Sequence, residues 1–278
     1  MICKGADTLT TLTGGFCFGE GPRWFEGLLW FSDMLGEAVH TVNLQGDLTT
    51  LSLPGHQPSG LGFRPDGTLL ISSAEQRRVL RYDGYTVEPI ADLSGLVPAA
   101  LGDMVIDDAG RAYVGSQARD GGVIARVDAD GSVAVVAENL DFPNGMAITE
   151  DRATMIVAES TGRRLSAFTI GADGSLFDRR IFADGLDGPP DGICLDAEGG
   201  VWVAMTLAHT FERIVEGGTV TERIDMDDRT AIACTLGGPE RRTLFLVSST
   251  DAYPQRLVGT KQSRVDATTV DVAGAGLP

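Results

Sequence analysis

The chain has 278 residues, with 22 Lys and Arg against 39 Asp and Glu, a formal net charge of −17. That balance argues against a nucleic-acid partner, since such binding draws most of its affinity from neutralised phosphates. The four cysteines (Cys3, Cys17, Cys194, Cys234) form no CxxC pair, the opening Met1-Ile2-Cys3-Lys4-Gly5-Ala6-Asp7 lacks the apolar run of a secretory signal, and no segment approaches a membrane span. A soluble protein in a reducing, cytoplasmic setting is therefore expected, and its 43 % hydrophobic content suffices for a core.

In chain order, the strand Thr8-Leu9-Thr10-Thr11-Leu12 stands before any repeat. From there the same unit recurs six times, starting at Glu20-Gly21-Pro22, Ser59-Gly60-Leu61, Gly102-Asp103-Met104, Asn144-Gly145-Met146, Asp191-Gly192-Ile193 and Ala233-Cys234-Thr235. Each start leads through a polar turn, such as Arg64-Pro65-Asp66-Gly67 or Asp196-Ala197-Glu198-Gly199, into a second apolar strand, such as Leu69-Leu70-Ile71-Ser72 or Val201-Trp202-Val203-Ala204. Third and fourth strands follow as hairpins, as in Val123-Ile124-Ala125-Arg126-Val127, the turn Asp130-Gly131, and Val133-Ala134-Val135-Val136. The spacing from start to start, roughly 38 to 47 residues, is that of a four-stranded β-propeller blade.

The last repeat is one strand short. The unassigned N-terminal strand is therefore expected to complete it beside residues 264–272 and so remove the exposed edge of the ring. The fold class that follows is all-β: a six-bladed β-propeller with four antiparallel strands per blade, one domain over residues 1–278.

The first strand of each blade is the innermost, so residues in one phase of it converge on the central tunnel although far apart in sequence. At that phase stand Glu20, Ser59, Gly102, Asn144, Asp191 and Ala233. Taken singly, Asn144-Gly145 and Asp191-Gly192 read as turns and Glu20 as a solvated charge. In matched phase, with Pro143 and Pro190 each just before a donor, they read as a site. Two carboxylates and a carboxamide suit one divalent ion such as Ca²⁺, Mg²⁺ or Mn²⁺, and less comfortably Zn²⁺ or Fe²⁺.

Several stretches then resemble one family over nearly the whole chain: Glu20-Gly21-Pro22-Arg23-Trp24, Phe142-Pro143-Asn144-Gly145-Met146, Pro190-Asp191-Gly192-Ile193, and Leu236-Gly237-Gly238-Pro239. They are similar to the senescence marker protein/gluconolactonase/luciferin-regenerating enzyme family. The resemblance implies a six-bladed propeller with one divalent metal at the tunnel mouth, in most cases a lactone hydrolase, with metal ligands at Glu20, Asn144 and Asp191. One departure stands out. Where most members carry Asn-Asp this chain has Gly102-Asp103, and Ala100 replaces the Arg of sugar lactonases. Losing an amide and a guanidinium removes donors for substrate hydroxyls, so a less polar lactone than an aldonolactone is expected.

In that reading Asp191 accepts the proton of the attacking water, Glu20 remains a ligand that balances charge, and His56, Ser59 and Asp103 are the candidate substrate contacts. Asp103 lies one residue past the ligand phase, so alternation could turn it into the blade. Glu159 and Ser160, ending a second strand, are expected to lie too far out to reach the metal. The partner is a small molecule, with no nucleic acid and no membrane, and the protein a monomer or small homo-oligomer. Rival readings are a phosphotriesterase-like hydrolase, a non-hydrolytic, isomerase-like relative, and a metal-stabilised binding propeller. No Gly-x-Ser-x-Gly elbow supports nucleophilic catalysis.

Overall fold

Short strands bounded by Gly, Asp and Pro leave no room for long helices. In the computed structural model, which describes residues Met1–Ala275, the helical elements are three short turns, Ala6–Thr8, Thr206–Ala208 and Pro254–Arg256. The remaining elements are strands in six sheets, five of four strands and one of five. The final three residues of the proposed domain lie outside the described residues.

The inner strands are Gly19–Phe25, Pro58–Phe63, Leu101–Ile106, Pro143–Ile148, Pro190–Leu195 and Thr230–Gly237, which define blades 1 to 6. Each touches the inner strands of both neighbours, and Thr230–Gly237 closes back onto Gly19–Phe25. Closure comes as expected: Thr10–Phe16 pairs antiparallel with Ser263–Thr269 as the outer strand of blade 6, Thr10 opposite Ala267. A second N-terminal strand, Ile2–Lys4, runs parallel to Thr219–Asp225 and adds a fifth strand to blade 5. Three residues carry too little pattern to announce that strand.

A buried apolar cluster fills each of the six interfaces between neighbouring blades. Leu61 with Leu53 and Val39 joins blades 1 and 2, for example, while Phe31 with Phe245 and Val247 joins blades 1 and 6. Burying a Leu or Phe side chain stabilises by about 1.5–3 kcal/mol, so the ring is held by these wedges as well as by its one strand-to-strand closure.

The ladder between first and second strands skips at the same place in blades 2 to 5, and one residue later in blade 1. In blade 4, Pro143 faces Glu159 and Met146 faces Val157, so Asn144 and Gly145 together oppose one residue, Ala158. Equivalent bulges follow Pro58, Leu101 and Pro190, while in blade 1 the bulge follows Glu20 itself. A bulge re-aims the side chains beside it, and here those are the residues in the ligand phase.

The glycine that follows this position in blades 1, 2, 4 and 5 has a packing reason. A Cβ on Gly145 would lie 2.4 Å from the Asp191 carbonyl oxygen and 2.6 Å from Ile193 N, inside contact distance of the next inner strand. Asn144-Gly145 and Asp191-Gly192 are thus strand residues packed backbone to backbone, not turns. In blade 6 the phase shifts by one. A Cβ on Gly192 would lie 2.6 Å from Ala233 Cα, so Ala233 stands level with the glycines and the buried Ile232 takes the ligand phase.

Candidate active site

Glu20, Asn144 and Asp191 hold the second position of their inner strands, and the bulges leave them 7, 6 and 8 % exposed. Asn144 Nδ2 donates to Asp191 Oδ1 at 2.5 Å and to Ser160 Oγ at 3.3 Å, and Ser160 Oγ donates to the Pro190 carbonyl at 2.6 Å. Thr206 Oγ1 approaches the other Asp191 oxygen at 3.4 Å. Glu20 accepts from the Gly21 N–H at 3.3 Å.

Burial and the negative charges of Asp191 and Asp103 raise the Glu20 carboxyl well above the usual range; burial, then Asp103, raises Asp191. The nearby guanidinium does not neutralise either by contact. Arg23 Nη2 donates instead to Asp103 Oδ1 at 2.7 Å and to the Met104 carbonyl at 2.5 Å. Two buried carboxylates with no cation on them, beside a carboxamide, form a donor set that a hard divalent ion fits, because its charge offsets both desolvation and repulsion. Among the described residues no group of three or more His, Cys, Asp or Glu converges, so Asn144 is needed as the third donor.

Asn144 and Asp191 open on a cavity of about 650 Å³ at one mouth of the tunnel. Gln57, Ala100, Gln117 and Leu207 line it. The loop from Ala252 to Val258 and the Met34-Leu35 pair add apolar wall. A second cavity of about 360 Å³, lined by Arg23, Trp24 and Leu195 among others, lies toward the other ends of the inner strands. The Arg23–Asp103 ion pair joins blades 1 and 3 across the tunnel.

Of the candidate substrate contacts, none lines the upper cavity. Asp103 is 3 % exposed and committed to Arg23; at a glycine-level position its side chain crosses the tunnel instead of entering the blade. Ser59 is buried, its carbonyl accepting from Ser32 Oγ at 2.7 Å. His56 pairs through Nδ1 with Ser73 Oγ at 3.0 Å, and the neighbouring Gln57 faces the cavity in its place. Ser160, expected too far out, touches Asn144 and lines the cavity, whereas Glu159 does point away.

Gln117 is the residue the sequence hid. A Cβ on Gly102 would lie 2.5 Å from Gln117 Nε2, so this side chain occupies the space that a side chain at 102 would take. Its Nε2 stands 3.5 Å from Asn144 Oδ1, at the limit of a hydrogen bond. An amide thus stands beside Gly102 after all, reaching in from just past the second strand of blade 3. The clue was Gly102 itself, which leaves room for a long neighbour.

A propeller whose polar side chains converge at one mouth of its tunnel is the class that fold and site define. The chain belongs to the SMP-30/gluconolactonase/LRE-like family, whose model matches residues 18–250. Among its relatives, a 6-deoxy-6-sulfogluconolactonase from Pseudomonas putida is 29 % identical over 273 residues, covering 94 % of both chains. A pentonolactonase from Haloferax volcanii is 27 % identical over 252 residues, covering 87 % of this chain and 85 % of that one. The fold matches a calcium-binding protein, regucalcin, from Agrobacterium tumefaciens with a TM-score of 0.85 at 22 % identity, over 100 % of this chain and 98 % of that one. Among the described residues no helix is long and apolar enough to cross a membrane.

Proposed function

We propose that this protein is a lactonase that opens a small, sugar-derived lactone, with one divalent ion held by Glu20, Asn144 and Asp191. The observation that carries this reading is a pair of buried, mutually repelling carboxylates without a cation on them, Glu20 and Asp191, of which Asp191 and the Asn144 amide line a cavity of about 650 Å³. The two relatives named as lactonases support the reaction class. Their names also weigh against the less polar lactone expected from Gly102 and Ala100, and the Gln117 amide weighs the same way. The all-oxygen donor set favours Ca²⁺, Mg²⁺ or Mn²⁺ over Zn²⁺ or Fe²⁺. When bound, such an ion supplies Lewis acidity toward the carbonyl oxygen.

The chain's own groups do the rest. Asp191, oriented by Asn144 and Thr206, is the carboxylate placed to accept a proton from the attacking water and return it to the ring oxygen as the C–O bond breaks. Water and lactone then become one hydroxy acid. Ser160 fixes the Asn144 amide, and the apolar wall from Met34 to Val258 limits competing water.

Proton release from gluconolactone tests this, with and without a chelator, for the wild type and Asp191→Ala. Each perturbation is expected to slow ring opening at least about a hundredfold, the size of a loss of a few kcal/mol of transition-state stabilisation. Equal rates in all arms would sink the proposal.

A further inference from the structure

The upper cavity has two cationic side chains on its rim, Arg119 from blade 3 and Arg163 from blade 4. Their loops touch: Thr161 Oγ1 donates to the Arg119 carbonyl at 3.0 Å. Most arginines of this acidic chain stand against a carboxylate, as Arg164 does with Asp141 and Glu159, and Arg223 with Asp187 and Glu212. Arg119 and Arg163 stand in no ion pair among the described residues. Arg163 Nη2 donates to the Asp187 carbonyl, which fixes the side chain but leaves its charge uncompensated. Two nearby acids, Asp141 and Asp187, are engaged by Arg164 and Arg223. Asp120, next in sequence to Arg119, is exposed. The acids lining the cavity itself are Asp191 and Glu75, from blades 5 and 2.

We propose that Arg119 and Arg163 together bind an anionic group on the substrate, so that the lactone taken by this site carries a carboxylate or sulfonate away from its ring carbonyl. The inference rests on the lactonase reading for the word lactone, but not for the anion. In a protein with a net charge of −17, an anionic substrate approaches against the overall field. Two guanidinium groups on the rim supply local attraction and forked donors that match flat or tetrahedral oxyanions. The chemistry site and the rim belong to one cavity, so a substrate spanning both is oriented with its carbonyl toward Asn144 and Asp191.

The test compares gluconolactone, which is neutral, with its counterparts bearing a terminal carboxylate or a terminal sulfonate. It is run on the metal-loaded wild type, Arg119→Gln, Arg163→Gln and the double variant, at low and high salt. The wild type is expected to prefer one of the anionic lactones by about tenfold or more in kcat/KM, a preference that falls with salt and shrinks about fivefold or more in the double variant. Binding of the corresponding open-chain acids, measured by calorimetry, separates the two readings. If no lactone is opened but the doubly charged product binds the wild type more tightly than gluconate, and the double variant loses that margin, the rim stands and the lactonase reading falls. A neutral-to-anionic ratio that neither salt nor the substitutions change, in turnover and in binding, overturns the rim.

Discussion

At the scale of single residues, the exchange between positions 102 and 117 explains how a site with a missing side chain can keep its donors. Gly102→Asn would drive a new side chain into Gln117, whose Nε2 stands 2.5 Å from the Cβ position. Gln117→Ala would leave the space empty and remove the amide facing Asn144. Each single change is expected to raise KM about fivefold or more on the lactone opened fastest, and the double change to lose less than the product of the two, since the new Asn fills the vacated space. Multiplicative losses would show that the two positions do not share one function. The sequence alone showed the departure at 102 but not its remedy. Gln117 sits just past the second strand of its blade, where side-chain direction follows loop path more than alternation. The same reason hid the contacts of Ser160 and Thr206, while the common strand position of Glu20, Asn144 and Asp191 was legible because they recur in one phase of a repeated strand. His56 and Ser59 lie off the cavity lining, because closeness in sequence to the inner strand is not closeness to the tunnel mouth.

At the scale of elements, the bulge in each inner strand decides what alternation cannot. A strict period of two turns Asp103 into its blade; the bulge after Leu101 instead lets it meet Arg23 across the tunnel. Blade 4 shows how an outer element is tied to this frame. Glu159, at the end of its second strand and fully buried, accepts from Arg164 Nη2 at 2.8 Å on the third strand and from Arg179 Nη2 at 2.6 Å on the fourth. It also accepts from Ser166 Oγ at 2.5 Å and from the Asp141 N–H at 2.8 Å. Burial alone would raise this carboxyl, but these hydrogen bonds outweigh it and hold the group down at about 2. A depressed carboxylate stabilises the fold above its unfolded value near 4.5 and loses that contribution as pH falls toward about 2. The contribution at neutral pH is roughly 3 kcal/mol. Denaturant titrations of the wild type and Glu159→Gln should show a stability gap that is full at pH 6 and narrows steadily below about pH 4.5. A gap independent of pH would mean that shape, not charge, is what Glu159 provides.

At the scale of the whole molecule, the repeat length, the number of blades and the closing strand could be read before any coordinates, because all three are consequences of one periodic hydrophobic pattern and one missing strand. The ring of blades brings Glu20 of blade 1 within electrostatic reach of Asp191 of blade 5, which Asn144 of blade 4 touches, and on that convergence the proposed metal centre rests. What the pattern could not show is which loops crown the tunnel, among them the Ala252–Val258 wall and the arginine rim. The most direct measurement is a titration of chelated protein with Ca²⁺, Mg²⁺ and Mn²⁺, followed by thermal unfolding and metal analysis, for the wild type, Glu20→Gln and Asp191→Asn. One ion per chain, bound with a rise in Tm by the wild type and at least about tenfold more weakly by both variants, is the result predicted for ligands of a shared ion. Wild type and variants that bind the ion equally, or none that binds it at all, would contradict a metal centre built on Glu20, Asn144 and Asp191.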